Sequence, residues 1–398
     1  MVVAALALIV IIAPSDGAMS LRASDAPALL LLDRTYLEAA RDRLRRGDAA
    51  LKPAIADLER EAAKALTMAP VSVMDKGITP PSGDKHDYMS QAPYWWPDPA
   101  KTNGRPYIRK DGERNPEINK LTDHDSLGQV VNAVATLGLA YSLTGREAYA
   151  TKAATLVRVW FLDPATRMNP HLKFGQGIPG INDGRGIGII ETRGLPELLD
   201  GVQLLAGSPD WTRADQSGLE AWMRAYVSWL TESAYGKDEA KNGNNHETWY
   251  DVQVASLALF TSQTDLARRT IEGSRTRIAR QIEPDGHQPR ELERTRAWNY
   301  SIFNLTAFFQ LATLGERVGI DVWAYRSPDG RSLRQALDFL VPFADGRGRW
   351  TYPEIDKFDP AAMHWLLRRA AVAWKAPEYR ALASKVGGGQ PRLDLLVP

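Results

Sequence analysis

Cysteine is missing altogether from the 398 residues, which excludes disulfides, thiolate nucleophiles, thiolate metal sites and a lipid-modified cysteine anchor. An excess of one charge is missing too: 49 Lys and Arg stand against 48 Asp and Glu. No whole-molecule field therefore draws the chain to nucleic acid or to a membrane surface, and recognition of an anion has to be local. The apolar run from Val2 to Ala13 falls short of the ~20 residues that span a bilayer. It has the length of a secretory h-region, although no Lys or Arg precedes it, with small residues near Ala18 and Ala26 as cleavage points. Residues 1–26 are thus expected to be a signal peptide, and the mature protein, residues 27–398, a soluble periplasmic domain without a membrane anchor.

Paired-histidine metal spacing is absent as well. His86-Asp87 and Asp123-His124-Asp125 match no H-E-x-x-H pattern, and His171 and His364 stand alone, so neither a metal nor another cofactor is expected. Residues 175–180 spell G-x-G-x-x-G, but they contain Pro179, follow no strand pattern and open no βαβ unit. A dinucleotide site is excluded on that context.

Alternating strand patterns are scarce, and apolar residues recur at helical spacing instead. Leu127, Val130, Val131, Val134, Leu137 and Tyr141 share one face, as do Tyr149, Ala153, Leu156, Val157 and Trp160. Two segments across residues 33–66 read as helices, and others start near Leu195, Leu219, Thr248, Asp265, Ala297, Leu333 and Met363. Helices joined by short turns form αα-hairpins. With no strict repeat period, the expected fold is all-α: a toroid or barrel of helical hairpins whose long loops form a substrate cleft.

Residues 67–124 break the helical pattern with many Pro, Gly and Asp. Loops this long are uncommon in compact domains and are often functional. They hold Tyr94-Trp95-Trp96-Pro97, three adjacent aromatics that one strand or helix face cannot bury together. At least one should face a groove and stack on a sugar ring. A second loop, residues 241–245, is rich in Asn and Gly and runs into the apolar pattern of Val252, Ala255 and Leu259. Asn and Gly allow a sharp turn, which puts Asn244, Asn245 and His246 at a helix mouth, where backbone N–H groups favour an anion. A third stretch, residues 290–300, carries Arg290, Arg294 and Arg296, suited to carboxylates, with Tyr300 one turn past Arg296. Nearby guanidinium charge is expected to lower the phenol's pKa and prepare it as a base.

Tyr94-Trp95-Trp96-Pro97, the loop Gly184-Arg185-Gly186-Ile187-Gly188, Asn245-His246 and Arg294-Thr295 with Tyr300-Ser301 together resemble the alginate-lyase superfamily of polysaccharide lyases. The ordered likeness spans residues 84–374. It implies an α/α toroid, no redox cofactor, and β-elimination of an acidic polysaccharide or oligosaccharide built of uronic acids. Arg294 and Tyr300 are six apart, whereas some branches space them slightly differently, which leaves Arg294 and Arg296 as alternatives for one role.

Elimination removes the C5 proton beside the carboxylate and expels the C4 oxygen. Because the carboxylate already carries charge, neutralising it comes first. Asn245 and Arg294 are the candidate donors, assisted by His246, and such preorganised donors are worth about 100- to 1000-fold each. Tyr300 is the candidate acid, and also the base where C5–H and the C4 oxygen share a face; His246 is the base where they do not, as for guluronate. Tyr94, Trp95, Trp96, Asn182, Asn244 and Tyr250 are expected to line subsites, with Arg185 and Arg296 holding neighbouring carboxylates. Alginate is the expected polymer, with glucuronan or another polyuronate as alternative. From other classes, a glycoside hydrolase would need two facing acids, drawn from Asp183, Glu191 and Glu247, and a non-catalytic sugar-binding protein would not need Tyr300.

Overall fold

A computed structural model describes residues 28–388 and 395–396. The apolar run and its expected cleavage points lie outside the described residues. Among those described are fourteen α-helices and four short strands.

The helices fall into two kinds by burial, and the difference is written in their sequences. Along Asn245–Phe260 only His246 and Leu259 keep partial exposure. Asp123–Thr144 and Ala297–Arg317 are likewise buried on most sides. Helices apolar nearly all round belong inside. Thr264–Gln281, by contrast, buries one stripe, Ala267, Ile271, Ser274, Ile278 and Gln281, and Arg34–Arg45 buries only Leu37 and Ala40. These are outer helices. Each inner helix packs against an outer or neighbouring partner: Asn245–Phe260 on Thr264–Gln281 and Ala297–Arg317, Asp123–Thr144 on Glu147–Val157 and Leu195–Gln203. At the last of these crossings the backbones touch, since a Cβ on Gly138 would lie 2.2 Å from the Gly201 carbonyl oxygen.

Two polar ties hold segments outside the helices against them. The backbone N–H groups of Leu30, Leu31 and Leu32 donate to the Asp200 carboxylate at 2.5, 2.8 and 2.9 Å. Arg317 donates from Nε to the Leu30 carbonyl at 3.0 Å and from Nη2 to that of Leu32 at 2.7 Å. The first described residues thereby join Leu195–Gln203 to Ala297–Arg317. Burial nevertheless pushes the Asp200 carboxyl up to about 6, against the pull of those N–H groups. The second tie is Lys76 with Asp123, 3.0 Å apart and wholly buried, where burial lowers the lysine and raises the aspartate. Asp123 also accepts from the Met89 N–H at 2.9 Å, which anchors the long loop to the start of an inner helix.

That loop is more ordered than its composition implies. Met89–Gln91 pairs in parallel with Phe174–Gly177, and Trp95–Trp96 pairs antiparallel with Ile108–Arg109. It forms a strap across one end of the helices.

Candidate functional site

Under the strap lies a cleft of about 590 Å³. Its walls include the starts of three inner helices: His124 and Asp125 on Asp123–Thr144, Asn245 and His246 on Asn245–Phe260, Tyr300 and Phe303 on Ala297–Arg317. Arg193, two residues before Leu195–Gln203, adds a fourth. Helix N-termini carry partial positive charge, so four of them face one space. Nine of the residues singled out in the sequence line it: Tyr94, Trp95, Arg185, Asn244, Asn245, His246, Arg294, Arg296 and Tyr300.

Three others sit elsewhere. Trp96 packs under the Lys110 ammonium, and its Nε1 donates to the Glu113 carbonyl at 2.9 Å. Asn182 closes its own turn by accepting from the Ile178 N–H at 3.2 Å. Tyr250 is buried in the helical core, donating to the Leu230 carbonyl at 2.9 Å. None of the three touches the cleft.

The helix mouth also differs from expectation. Asn244 is the N-cap and accepts from the His246 N–H at 3.1 Å. Asn245 gives its backbone N–H and its Nδ2 to the two oxygens of Glu291, each at 2.7 Å. The anion seated at this mouth is therefore the protein's own buried carboxylate. Glu291 is raised by burial, which the Asn245 hydrogen bonds oppose. The Oδ1 of Asn245 has no partner.

His246 keeps 15% side-chain exposure while its partner Glu239 has none, and Nδ1 lies 2.8 Å from Oε1 of Glu239. The same carboxylate accepts from Asn242 Nδ2. A carboxylate so placed is an acceptor, so Nδ1 carries the hydrogen and Nε2 keeps its lone pair. The ring is oriented as a base.

Opposite the imidazole runs a chain of phenols and guanidinium. Arg294 donates from Nη2 to the Tyr300 hydroxyl at 2.7 Å, and that hydroxyl donates to the Tyr94 hydroxyl at 3.0 Å. The guanidinium also stacks over the Tyr300 ring, 3.7 Å from its centre. Expectation and structure part on the phenol's acidity. Burial raises Tyr300 well above the ordinary value, and the lowering influence of Arg294 does not overcome it. The resting phenol is held protonated.

Arg294 is fixed from the strap. Nε and Nη2 reach Asp111 at 3.0 and 2.8 Å. Burial works against ionisation of Asp111, but the hydrogen bonds from Arg294 and Thr295 and the guanidinium charge hold it at about 2. Gly112, at φ +77°, lets the strap sit this close: a Cβ there would lie 2.4 Å from Thr295 Oγ1. Arg296 faces the cleft yet pairs with Asp356 at 3.2 Å. The guanidinium of Arg294 bonds to the Tyr300 hydroxyl, whereas Arg296 meets Tyr300 only through its backbone carbonyl, which accepts from the Tyr300 N–H at 2.9 Å.

Several lining residues were not among those expected for a lyase site. Glu191 accepts from Tyr88 at 2.7 Å and from Ser90 at 2.6 Å, with His124 Nδ1 3.7 Å away. Arg193, Arg109, Gln91 and Gln176 complete the walls. Among the described residues no group of three His, Asp or Glu side chains comes together as a metal site.

A mostly helical toroid whose cleft joins an imidazole, a protonated phenol and several guanidinium groups defines a class, the polysaccharide lyases of α/α type. The family model described as alginate lyase matches residues 72–350. The chain is 41% identical to an alginate lyase from Bacteroides ovatus, with a TM-score of 0.89 over 93% of this chain and 99% of that one. This chain belongs to the alginate lyase family. Its fold is also that of alginate lyase A1-III from Sphingomonas species A1, at 17% identity, TM-score 0.58, and coverage of 93% and 97%. A variant of A1-III complexed with tetrasaccharide matches at 17% identity and TM-score 0.59, with the same coverage. No curated protein matches the chain.

Proposed function

We propose that the chain cleaves alginate by β-elimination, with His246, Arg294 and Tyr300 as the reacting and neutralising groups. One observation carries this assignment. An imidazole whose Nδ1 is tied to buried Glu239 and a phenol held by Arg294 share one cleft.

Where C5–H and the C4 oxygen lie on opposite faces, Nε2 of His246 takes the C5 proton. The C–H electron pair becomes the C4–C5 double bond as the C4–O bond breaks. Tyr300 gives its proton to the departing oxygen, and solvent later restores it while the imidazolium releases its own. The raised pKa of Tyr300 keeps its proton in place until the leaving oxygen takes it. Where the two groups share a face, Tyr300 acts as the base only after its resting proton has left to solvent; the phenolate, stabilised by the Arg294 charge beside it, takes the C5 proton and passes it to the C4 oxygen. Arg294 also neutralises the carboxylate next to C5. Asn245 supports the site through Glu291 rather than by a free donor.

A hydrolase is less well served. Of the acids considered, Asp183 is exposed and Glu247 is buried against Arg277 and Arg280. Only Glu191 reaches the cleft, without a facing partner from that set.

Defined mannuronate, guluronate and glucuronate polymers, followed by ultraviolet absorbance, test the assignment, because only elimination yields a double bond conjugated with the carboxylate. Tyr300→Phe should lose about 100- to 10,000-fold in turnover and still bind. Full turnover by that variant would remove Tyr300 from the mechanism.

A further inference from the structure

Six arginines line the cleft, and their counter-ions divide them. Arg294 and Arg109 share Asp111, at 2.8 and 2.6 Å; Arg296 has Asp356 at 3.2 Å, and Arg114 has Asp125 at 3.9 Å. Arg185 bonds only to neutral groups, the Gln176 carbonyl at 3.1 Å and the Gln176 side-chain oxygen at 2.9 Å. Arg193 bonds only to the Ile190 carbonyl, at 3.2 Å, and rests over the Phe303 ring with 5.5 Å to its centre. Among the described residues neither has a carboxylate within ion-pairing distance. Glu191, two positions from Arg193, already holds the Tyr88 and Ser90 hydroxyls on one oxygen and faces His124 with the other.

A largely buried guanidinium without a counter-ion is costly, because desolvation is not repaid by attraction. Burial accordingly pulls both arginines below their ordinary pKa, with the distant Glu191 and Glu197 only partly restoring Arg193. A fold keeps such a group where something else supplies the charge. Both face the space in which the substrate would lie, and neither is fully covered.

The geometry points to Arg193 as a specificity-determining residue that takes a substrate carboxylate as its missing counter-ion, beside a like role for Arg185. This rests on the substrate being a polyuronate. The guanidinium lies over the Phe303 ring, and its planar fork makes two-pronged pairing with a planar carboxylate available. A lysine in its place would keep the charge and lose that pairing. Neutral sugars would gain nothing from either.

The test is calorimetric binding in a Tyr300→Phe background, with a mannuronate tetrasaccharide and its carboxyl-reduced counterpart as probes. Adding Arg193→Gln should weaken tetrasaccharide binding about 10- to 100-fold and leave the weak binding of the reduced sugar unchanged. Arg193→Lys should recover part of the loss. In the otherwise native enzyme Arg193→Gln should raise KM far more than it lowers kcat. Thermal melting confirms that each variant is folded; if Arg193→Gln is not, Arg193→Lys carries the comparison. Equal loss for both sugars, or unchanged binding of the tetrasaccharide, overturns the role of Arg193. Absence of unsaturated product from every polyuronate would instead overturn the lyase assignment, while the binding measurements still decide Arg193.

Discussion

The base role proposed for His246 depends on Glu239, which decides which of its nitrogens carries the hydrogen. The carboxylate is wholly buried and 2.8 Å from Nδ1. Glu239→Gln keeps the shape but lets the amide donate to Nδ1, which favours the wrong tautomer. Turnover should fall about 100- to 10,000-fold, by analogy with the orienting acid of a catalytic triad. Guluronate linkages should suffer more than mannuronate ones, since in the proposed mechanism Tyr300 takes the base's part for the latter. Equal losses on both polymers in a steady-state assay would refute the division of labour. The sequence made Asn245, His246, Arg294 and Tyr300 legible, because unusual residue types cluster there. It did not expose Glu239, Glu291 or Asp111. These sit 7, 46 and 183 positions from the groups they hold, and a lone acid in a polar stretch reads as solvated. The acidity of Tyr300 was misjudged for a related reason: charge can be read along the chain, but burial is set by the whole fold.

At the level of elements, the strap and the helix Ala297–Arg317 meet through Asp111 and Arg294. Asp111 is held at about 2 in the fold, below the ~3.9 of an unperturbed aspartate. A depressed carboxyl stabilises the fold above its unfolded value, and the contribution disappears as pH falls through the folded one. Asp111→Asn should therefore melt below the wild type at pH 5–7, with the gap closing between about pH 4 and pH 2. A gap independent of pH in calorimetric scans would mean that the ion pair is not what ties strap to helix. The helices themselves were largely readable from apolar spacing. The strap's strands were not, since pairs of two residues such as Trp95–Trp96 with Ile108–Arg109 carry no alternation to detect. Short helices such as Ala234–Glu239 and Pro289–Leu292 escaped for the same reason. Trp96 and Tyr250 were assigned to the cleft by residue type, and backbone direction sent both away from it.

At the level of the molecule, the inner helices open toward one cleft while residues 30–32 are held by Asp200 and Arg317. Asp200→Ala would leave one buried and two partly buried N–H donors without an acceptor, each costing up to about 1 kcal/mol. Equilibrium unfolding should show a loss of up to about 3 kcal/mol; a loss well under 1 kcal/mol would mean that water takes over. The same tie holds residues 28–32 against groups far from them in sequence, Asp200 and Arg317. A chain started at Asp33 should be less stable but rescuable, and a free peptide of residues 28–32 should raise its melting temperature with the logarithm of its concentration above the dissociation constant. The protein could then be assembled from two pieces, with its stability set by a dose.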